Sequence, residues 1–456
     1  MTARVLIVSY YFPPDGGPGT QRALKFAKNL FRYGWSTSVL TRAEPQQRGR
    51  WDPVDVSLNS EIHAHVDVHR VESVNRATSW AKSLPVLDTQ ATHAWAEAAF
   101  EEAARIVKED WIDLVFITMS PFDLVHLGRR LQTQLHVPVI YDLRDPWALD
   151  GWRLHRTPTK LETDFQCMQL AMAQADGVVA NTSEARAAIH EAFATPNLNE
   201  STLVTITNGY DESDFDRSPI GAYQRQPKAF VLAHTGSLHD RRVESEQGLI
   251  GSLRKRRRFS HESIDPMGRS LGPLLDAVGR LQQRKHPLVS RLKIVLAGVP
   301  DEASKRTVRR SGLQDMVQWV GYLPHRESIA LLQHADALFL PLHDLEAGSR
   351  SLIVPGKTYE YLATGRPILG CLPQGDARLM VEASPYGLCA DPCDAKDIAR
   401  QLMTMYDAWA QGRLDEPAPP SWISRFERSQ LSAQLAEYLD QMIGRVKRRA
   451  PLPRAA

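Results

Sequence analysis

The sequence predicts an α/β chain of two doubly wound, Rossmann-like domains, and three observations carry that reading. With 456 residues the chain is long enough for two or three domains. It opens with an apolar, β-branched run, Arg4 to Tyr10, then a glycine-rich loop, then a stretch of helical periodicity, which is the start of a βαβ unit. A similar order recurs late in the chain. The apolar strand Ala337–Leu342 leads into a polar loop with Gly348, Ser349, Arg350 and Ser351, a helix start at Lys357, and a further strand at Ile368–Leu372.

Taken in order, the loop after the first strand is Pro13–Gly19, and Thr20 can cap the helix after it. Ala23, Leu24, Ala27, Leu30 and Phe31 recur at helical spacing, Gly34 stops the helix, and Thr37–Thr41 is the next strand. The loop lacks the G-x-G-x-x-G dinucleotide pattern, so no NAD site is expected. Residues 43–93 read as irregular. Ala94–Lys108 is helical, Asp113–Thr118 is a strand, and the next helix carries His126. The strand Val137–Tyr141 ends in Asp142-Leu143-Arg144-Asp145-Pro146-Trp147. Charges just past a buried strand lie at the carboxyl end of the sheet, where open α/β sheets bind ligands. Arg144 and Asp145 are therefore candidates for ligand contacts, or else a pair bracing the loop. Leu161–Ala175 is a helix and Asp176–Asn181 a strand. A short strand at Val204–Ile206 leads to Asn208-Gly209-Tyr210-Asp211, which places the domain boundary near 207.

The second domain, 207–420, opens with the strand Ala229–His234 and the loop Thr235-Gly236-Ser237-Leu238. Residues 240–269 carry eight Lys/Arg against five Asp/Glu without periodicity and read as a flexible basic insertion, with a charged run at 254–258 that could touch anionic lipid. Pro273–Gln282 is a helix, Leu292–Ala297 and Val317–Val320 are strands, and Gln401–Trp409 is a helix. Residues 421–445 form a last amphipathic helix with Phe426, Leu431, Leu435, Leu439 and Met442 on one face, and 446–456 a basic tail. At the 357 helix start, Lys357 and Arg350 are cations beside free backbone N–H groups, which suits a diphosphate. Glu360, one turn on, can accept hydrogen bonds from ribose hydroxyls.

Composition bounds the classes. Hydrophobic residues make up 43% and charged residues 24%, ordinary for a protein with full-sized cores. A net charge of +2 gives no general affinity for nucleic acid. Cys167, Cys371, Cys389 and Cys393 are too scattered for a disulfide framework or a zinc site and read as reduced thiols. The N-terminus does not read as a signal peptide, and no apolar run reaches about 18 residues. A cytoplasmic protein without metal or resident cofactor is expected, with peripheral contact at the inner face of an anionic membrane as a further option.

The run from Lys357 to Pro367, K-x-x-E-Y-L-A-x-G-x-P, preceded by A-D-x-x-x-x-P from Ala335 to Pro341, resembles the donor half of family 4 retaining glycosyltransferases of the GT-B fold. The resemblance implies two domains facing across a cleft, with a nucleotide-diphosphate sugar on the C-terminal domain and a glycan or lipid-linked acceptor on the N-terminal one. It implies retaining, metal-independent transfer, typically in surface polysaccharide or glycoconjugate synthesis. Glu360 then meets the ribose, and Tyr322 and Leu323 the base. Gly236, Ser237 and one of Arg241 or Arg242 meet the diphosphate, and Lys357 with that arginine neutralises the leaving group. The resemblance sets His126 near the transferred sugar and Gly16, Gly17 and Gly19 at the cleft, and the C-terminal helix returns to the N-terminal domain. A second glutamate frequent in the family falls on Leu352 here, and Pro355-Gly356-Lys357 resembles a branch with Pro-x-Lys before the helix. Two alternatives remain: a nucleotide-sugar epimerase on the same fold, or a catalytically silent nucleotide-sugar-binding partner.

Overall fold

The structure, a computed structural model, describes residues 2–44, 54–72, 87–215, 228–246, 259–414 and 416–449. The chain forms two compact units. The first holds residues 1–149, 162–208 and 428–456, and the second 150–161 and 209–427. The switch near 207 thus falls at Asn208, and a short segment after residue 149 also belongs to the second unit.

The first unit is a seven-stranded parallel sheet in the order β3-β2-β1-β4-β5-β6-β7. The strands are β1 (Ala3–Ser9), β2 (Trp35–Arg42), β3 (Val66–Val71), β4 (Leu114–Met119), β5 (Val139–Leu143), β6 (Gly177–Ala180) and β7 (Leu203–Thr205). Val5, Leu6, Ile7 and Val8 of β1 are fully buried on both faces, as a central parallel strand requires. Helices α1 (Pro18–Asn29), α2 (Leu87–Glu109), α3 (Leu124–Leu135), α4 (Pro158–Gln174) and α5 (Ser183–Phe193) connect the strands; α4 begins in the segment that groups with the second unit. Edge strand β3 lies where the sequence reads as irregular. Its Val-Asp-Val-His alternation is half-exposed and short, so the period-2 signal is weak. A buried ion pair ties the sheet's carboxyl end together. Arg22 on α1 donates to both carboxylate oxygens of Asp142 at 2.7–3.2 Å and to the carbonyls of Ile206 and Thr207. The C-terminal helix begins at Arg428 rather than at 421, and Phe426 lies before it, in the core of the second unit. Arg428–Arg449 packs on the first unit through Leu431, Leu435, Leu439 and Met442, and the Tyr438 hydroxyl donates to the Thr202 carbonyl at 2.6 Å.

The second unit is a six-stranded parallel sheet in the order β11-β10-β8-β12-β14-β15. Its strands are β8 (Phe230–Thr235), β10 (Leu292–Ala297), β11 (Val317–Gly321), β12 (Ala337–Pro341), β14 (Ile368–Cys371) and β15 (Gly387–Ala390); β9 (Ile264–Asp265) and β13 (Asp344–Leu345) form a separate antiparallel pair. The helices are α6 (Asp240–Glu246), α7 (Gly272–Gln283), α8 (Glu302–Ser311), α9 (His325–His334), α10 (Lys357–Thr364), α11 (Asp376–Glu382) and α12 (Ala395–Ala410). Chain order reverses about β8, which has β10 on one side and β12 on the other. That is the topological switch point, where doubly wound sheets bind ligands beyond the strand ends.

The stretch 240–269 is ordered at both ends rather than irregular. Residues 240–246 form α6, with Arg306 on α8 holding Glu244 at 2.8 Å, and 264–265 form β9. Its charged run at 254–258 lies outside the described residues, as do residues 450–456 of the basic tail.

Candidate functional site

The site is built at the carboxyl end of β8. Its last residues, His234 and Thr235, are buried, and the chain then turns at Gly236, with φ of 106°. A β-carbon there would lie 2.6 Å from the Lys357 Nζ, and one at neighbouring Gly298 would lie 2.7 Å from the Gly236 carbonyl oxygen. Gly236 is therefore required both for its conformation and for the close approach of Lys357. Gly236 and Ser237 are exposed, but the Gly236 N–H donates to the Ala297 carbonyl at 2.8 Å, so it is not the diphosphate donor that the sequence suggests.

Lys357 is the first residue of α10, after Pro355 and Gly356. Its ammonium donates to the Thr235 carbonyl and lies 3.4 Å from His234 Nε2. His234 Nδ1 is 2.9 Å from the Phe339 carbonyl, so Nδ1 carries the proton and Nε2 is left as the acceptor facing Lys357. Burial and the nearby Lys357 hold His234 neutral, well below the usual histidine range. The Tyr361 hydroxyl accepts from the Thr235 N–H at 2.9 Å, fixing α10 against the strand end. Burial also pulls Lys357 down to about 7; Arg269 adds to the shift, and Glu360 on the next turn opposes it.

Two arginines join this lysine. Arg242, on α6, lies with its guanidinium carbon 4.2 Å from the centroid of the Trp152 ring, and Arg269 lies 6.0 Å from the same ring. Arg241, the other sequence candidate, is exposed on the same helix. Burial, then Arg269, Arg242 and Lys357, lower His239 to about 3. His343, just past β12, is held near 3 by burial, then Arg269 and Arg242. The site therefore gathers three cations among neutral histidines at the switch point, a field that favours an anion.

The other donor-side candidates spread around this centre. Glu360 lies 3.8 Å from His325 Nε2, which is also 3.1 Å from Asp214. Tyr322 is 53% exposed and Leu323 half-buried just past β11, on the far side of β10. Gly348 and Arg350 are exposed and Ser349 half-buried in the loop after β13, which is closed by a bond from Ser349 N–H to the Glu346 carbonyl at 3.0 Å. β9 pairs with β13, and Ser349 hydrogen-bonds Glu262, so the end of the basic stretch supports that loop. Leu352 is half-buried beyond it.

The remaining candidates belong to the first unit. The Arg144 guanidinium donates to the carbonyls of Met119 at 3.1 Å and Ser120 at 2.7 Å. A β-carbon at Gly19 would lie 1.7 Å from its Nη1, so the bare glycine is what lets Arg144 reach across the loop. Arg144 thus meets backbone carbonyls of the loop after β4, and Asp145 beside it is exposed. His126 is half-buried on α3 with its ring 5.2 Å from that of His93, and burial followed by His93 lowers its pKa. Gly16 and Gly17 are half-buried just before α1.

Sequence reading missed Trp152, His239, Arg269 and His343. They come from separate stretches, Arg269 from the one read as a basic insertion, and no motif spacing links them.

Residues 271–413 match the family model described as glycosyl transferases group 1. No curated protein matches the chain in sequence. Among solved structures, sucrose-phosphate synthase from Thermosynechococcus elongatus is 15% identical with a TM-score of 0.67, and the match covers 97% of this chain and 100% of that one. Trehalose 6-phosphate synthase from Burkholderia multivorans is 12% identical with a TM-score of 0.61, covering 98% and 100%. WaaG, a glycosyltransferase involved in lipopolysaccharide biosynthesis, is 12% identical with a TM-score of 0.55, covering 97% and 98%. The fold is GT-B, two Rossmann-like domains, and its second domain carries the group 1 glycosyltransferase segment.

Proposed function

We propose that the protein is a retaining, metal-independent glycosyltransferase that moves a sugar from a nucleotide-diphosphate donor to a glycan or lipid-linked acceptor in surface polysaccharide or glycoconjugate synthesis. The observation that carries the donor half is the convergence of Arg242, Arg269 and Lys357 beyond β8, at the switch point of the domain that matches the family. Fixed cations, with the backbone N–H of Ser237 beyond the Gly236 turn, stabilise the negative charge that develops as the nucleoside diphosphate leaves. Such charge stabilisation acts without solvent reorganisation, because the groups are already held by Thr235, His234 and Trp152. Glu360 accepts the ribose hydroxyls. On the resemblance alone, His126 of the other unit is assigned to the transferred sugar and the Gly16–Gly17 loop to the approach of substrate to the backbone.

The test is turnover. Full-length protein incubated with candidate nucleotide sugars and lipid-linked or glycan acceptors should release nucleoside diphosphate and yield a glycosylated acceptor with the donor's anomeric configuration. Tight donor binding without consumption of any donor would replace this reading with that of a silent nucleotide-sugar-binding protein.

A further inference from the structure

The segment 150–161 comes directly after the first 149 residues of the first unit yet belongs to the second. It is anchored there by a two-bond bridge between His155 and Phe259, at 2.7 and 2.9 Å, and by Gly151, where a β-carbon would lie 2.5 Å from Ile264. The anchoring carries one large side chain into the cation cluster. The Trp152 indole N–H donates to His343 Nδ1 at 2.9 Å, and its ring meets the His239 ring edge-on at 4.6 Å. With its orientation fixed by those two contacts, the ring presents its face to Arg242 at 4.2 Å.

We infer that Trp152, delivered to the donor unit by the segment 150–161, is a positioning residue that holds the Arg242 guanidinium in place for the anionic donor. Electrostatics gives the reason such a residue is needed. Like charges on Arg242, Arg269 and Lys357 repel one another, and a neutral ring that fixes one guanidinium limits that spreading. A guanidinium over an indole face is held by the ring quadrupole, an attraction of the right sign that adds no negative charge to compete with the ligand. A carboxylate in the same place would neutralise Arg242 and weaken the anion site. The hydrogen bond to neutral His343 then keeps the ring from turning away. Trp152, like Arg242 and Arg269, lies outside the segment 271–413 that matches the family model, so the site draws on stretches of the second unit beyond the matched segment.

The inference rests on the nucleotide-diphosphate reading above, and the test separates the two. Binding of UDP, GDP and ADP is measured by calorimetry on full-length wild type, Trp152→Leu, Trp152→Phe, Arg242→Ala and the double variant Trp152→Leu/Arg242→Ala. Leucine fills the space without a π face, whereas phenylalanine keeps the face. Trp152→Leu should weaken the preferred nucleotide roughly five- to thirty-fold, the range of a partly desolvated cation–π contact, with Trp152→Phe recovering most of the loss. In the Arg242→Ala background the leucine substitution should cost nothing further, the signature of two residues acting as one. Equal affinities of the Leu and Phe variants, or losses that multiply in the double variant, overturn the role of Trp152 while leaving the donor site standing. Failure of the wild type to bind any of the three nucleotides overturns both.

Discussion

Lys357 makes the sharpest prediction. Burial, then Arg269, lower its pKa from 10.5 to about 7. At about 1.4 kcal/mol per pH unit, holding the charge there costs about 5 kcal/mol. A bound diphosphate supplies the missing counter-charge and returns the lysine toward its ordinary value. Below pH 7 the ammonium is already charged, so affinity for a nucleotide sugar, whose pyrophosphate diester does not titrate near neutrality, should be flat with pH. Above about pH 7 each binding event must take up a proton, so the dissociation constant should rise toward tenfold per pH unit. The effect on folding has the opposite sign. Between about 7 and 10.5 the unfolded chain keeps the proton and the native site has lost it, so this lysine makes the unliganded protein more stable as pH rises. His234 stays neutral throughout and does not contribute. The assay is calorimetric titration from about pH 6 to about pH 9 in two buffers of different ionisation heat, which counts the protons taken up. Lys357→Met should bind weakly and without pH dependence. Flat affinity up to about pH 9 with no proton uptake in the wild type would refute the reasoning.

Three further outcomes rest on single contacts. Arg22→Ala leaves the Asp142 carboxylate buried and unpaired, and should cost about 3–5 kcal/mol of stability by chemical denaturation. Gly236→Ala sets a β-carbon 2.6 Å from the Lys357 ammonium at a φ of 106°, and should abolish nucleotide binding in a protein that still unfolds cooperatively. Leu435→Ala empties a fully buried position under the C-terminal helix and should lower stability by about 2–5 kcal/mol, read from the shift in denaturant midpoint at unchanged slope.

The sequence makes legible whatever local chain order determines. Strand β8 with its exposed Gly236, and Lys357 opening a helix, are visible because a strand end, a glycine and a helix start are adjacent in sequence. Arg242 is one of two neighbouring candidates, and only the helix α6 shows which of them meets an aromatic ring. Arg269 and Trp152 are not legible. Each is an ordinary residue in its own stretch, and their meeting depends on the His155–Phe259 bridge and the β9–β13 pair, contacts between segments far apart in the chain. Arg144 shows the converse. Its place after a buried strand suggests substrate contact, but its two backbone acceptors depend on the path of the loop after β4, which no periodicity specifies.

The central claim is that the three cations beyond β8 hold a nucleoside diphosphate. It is tested most directly by thermal unfolding with UDP, GDP, ADP and their common sugar conjugates, run in parallel on wild type and Glu360→Ala. A ligand at about 100 times its dissociation constant should stabilise the fold by about 2.7 kcal/mol. The account predicts that one nucleotide series raises the wild-type midpoint selectively and that Glu360→Ala, equally stable without ligand, loses most of that rise. Midpoints unchanged by every nucleotide and conjugate would contradict it.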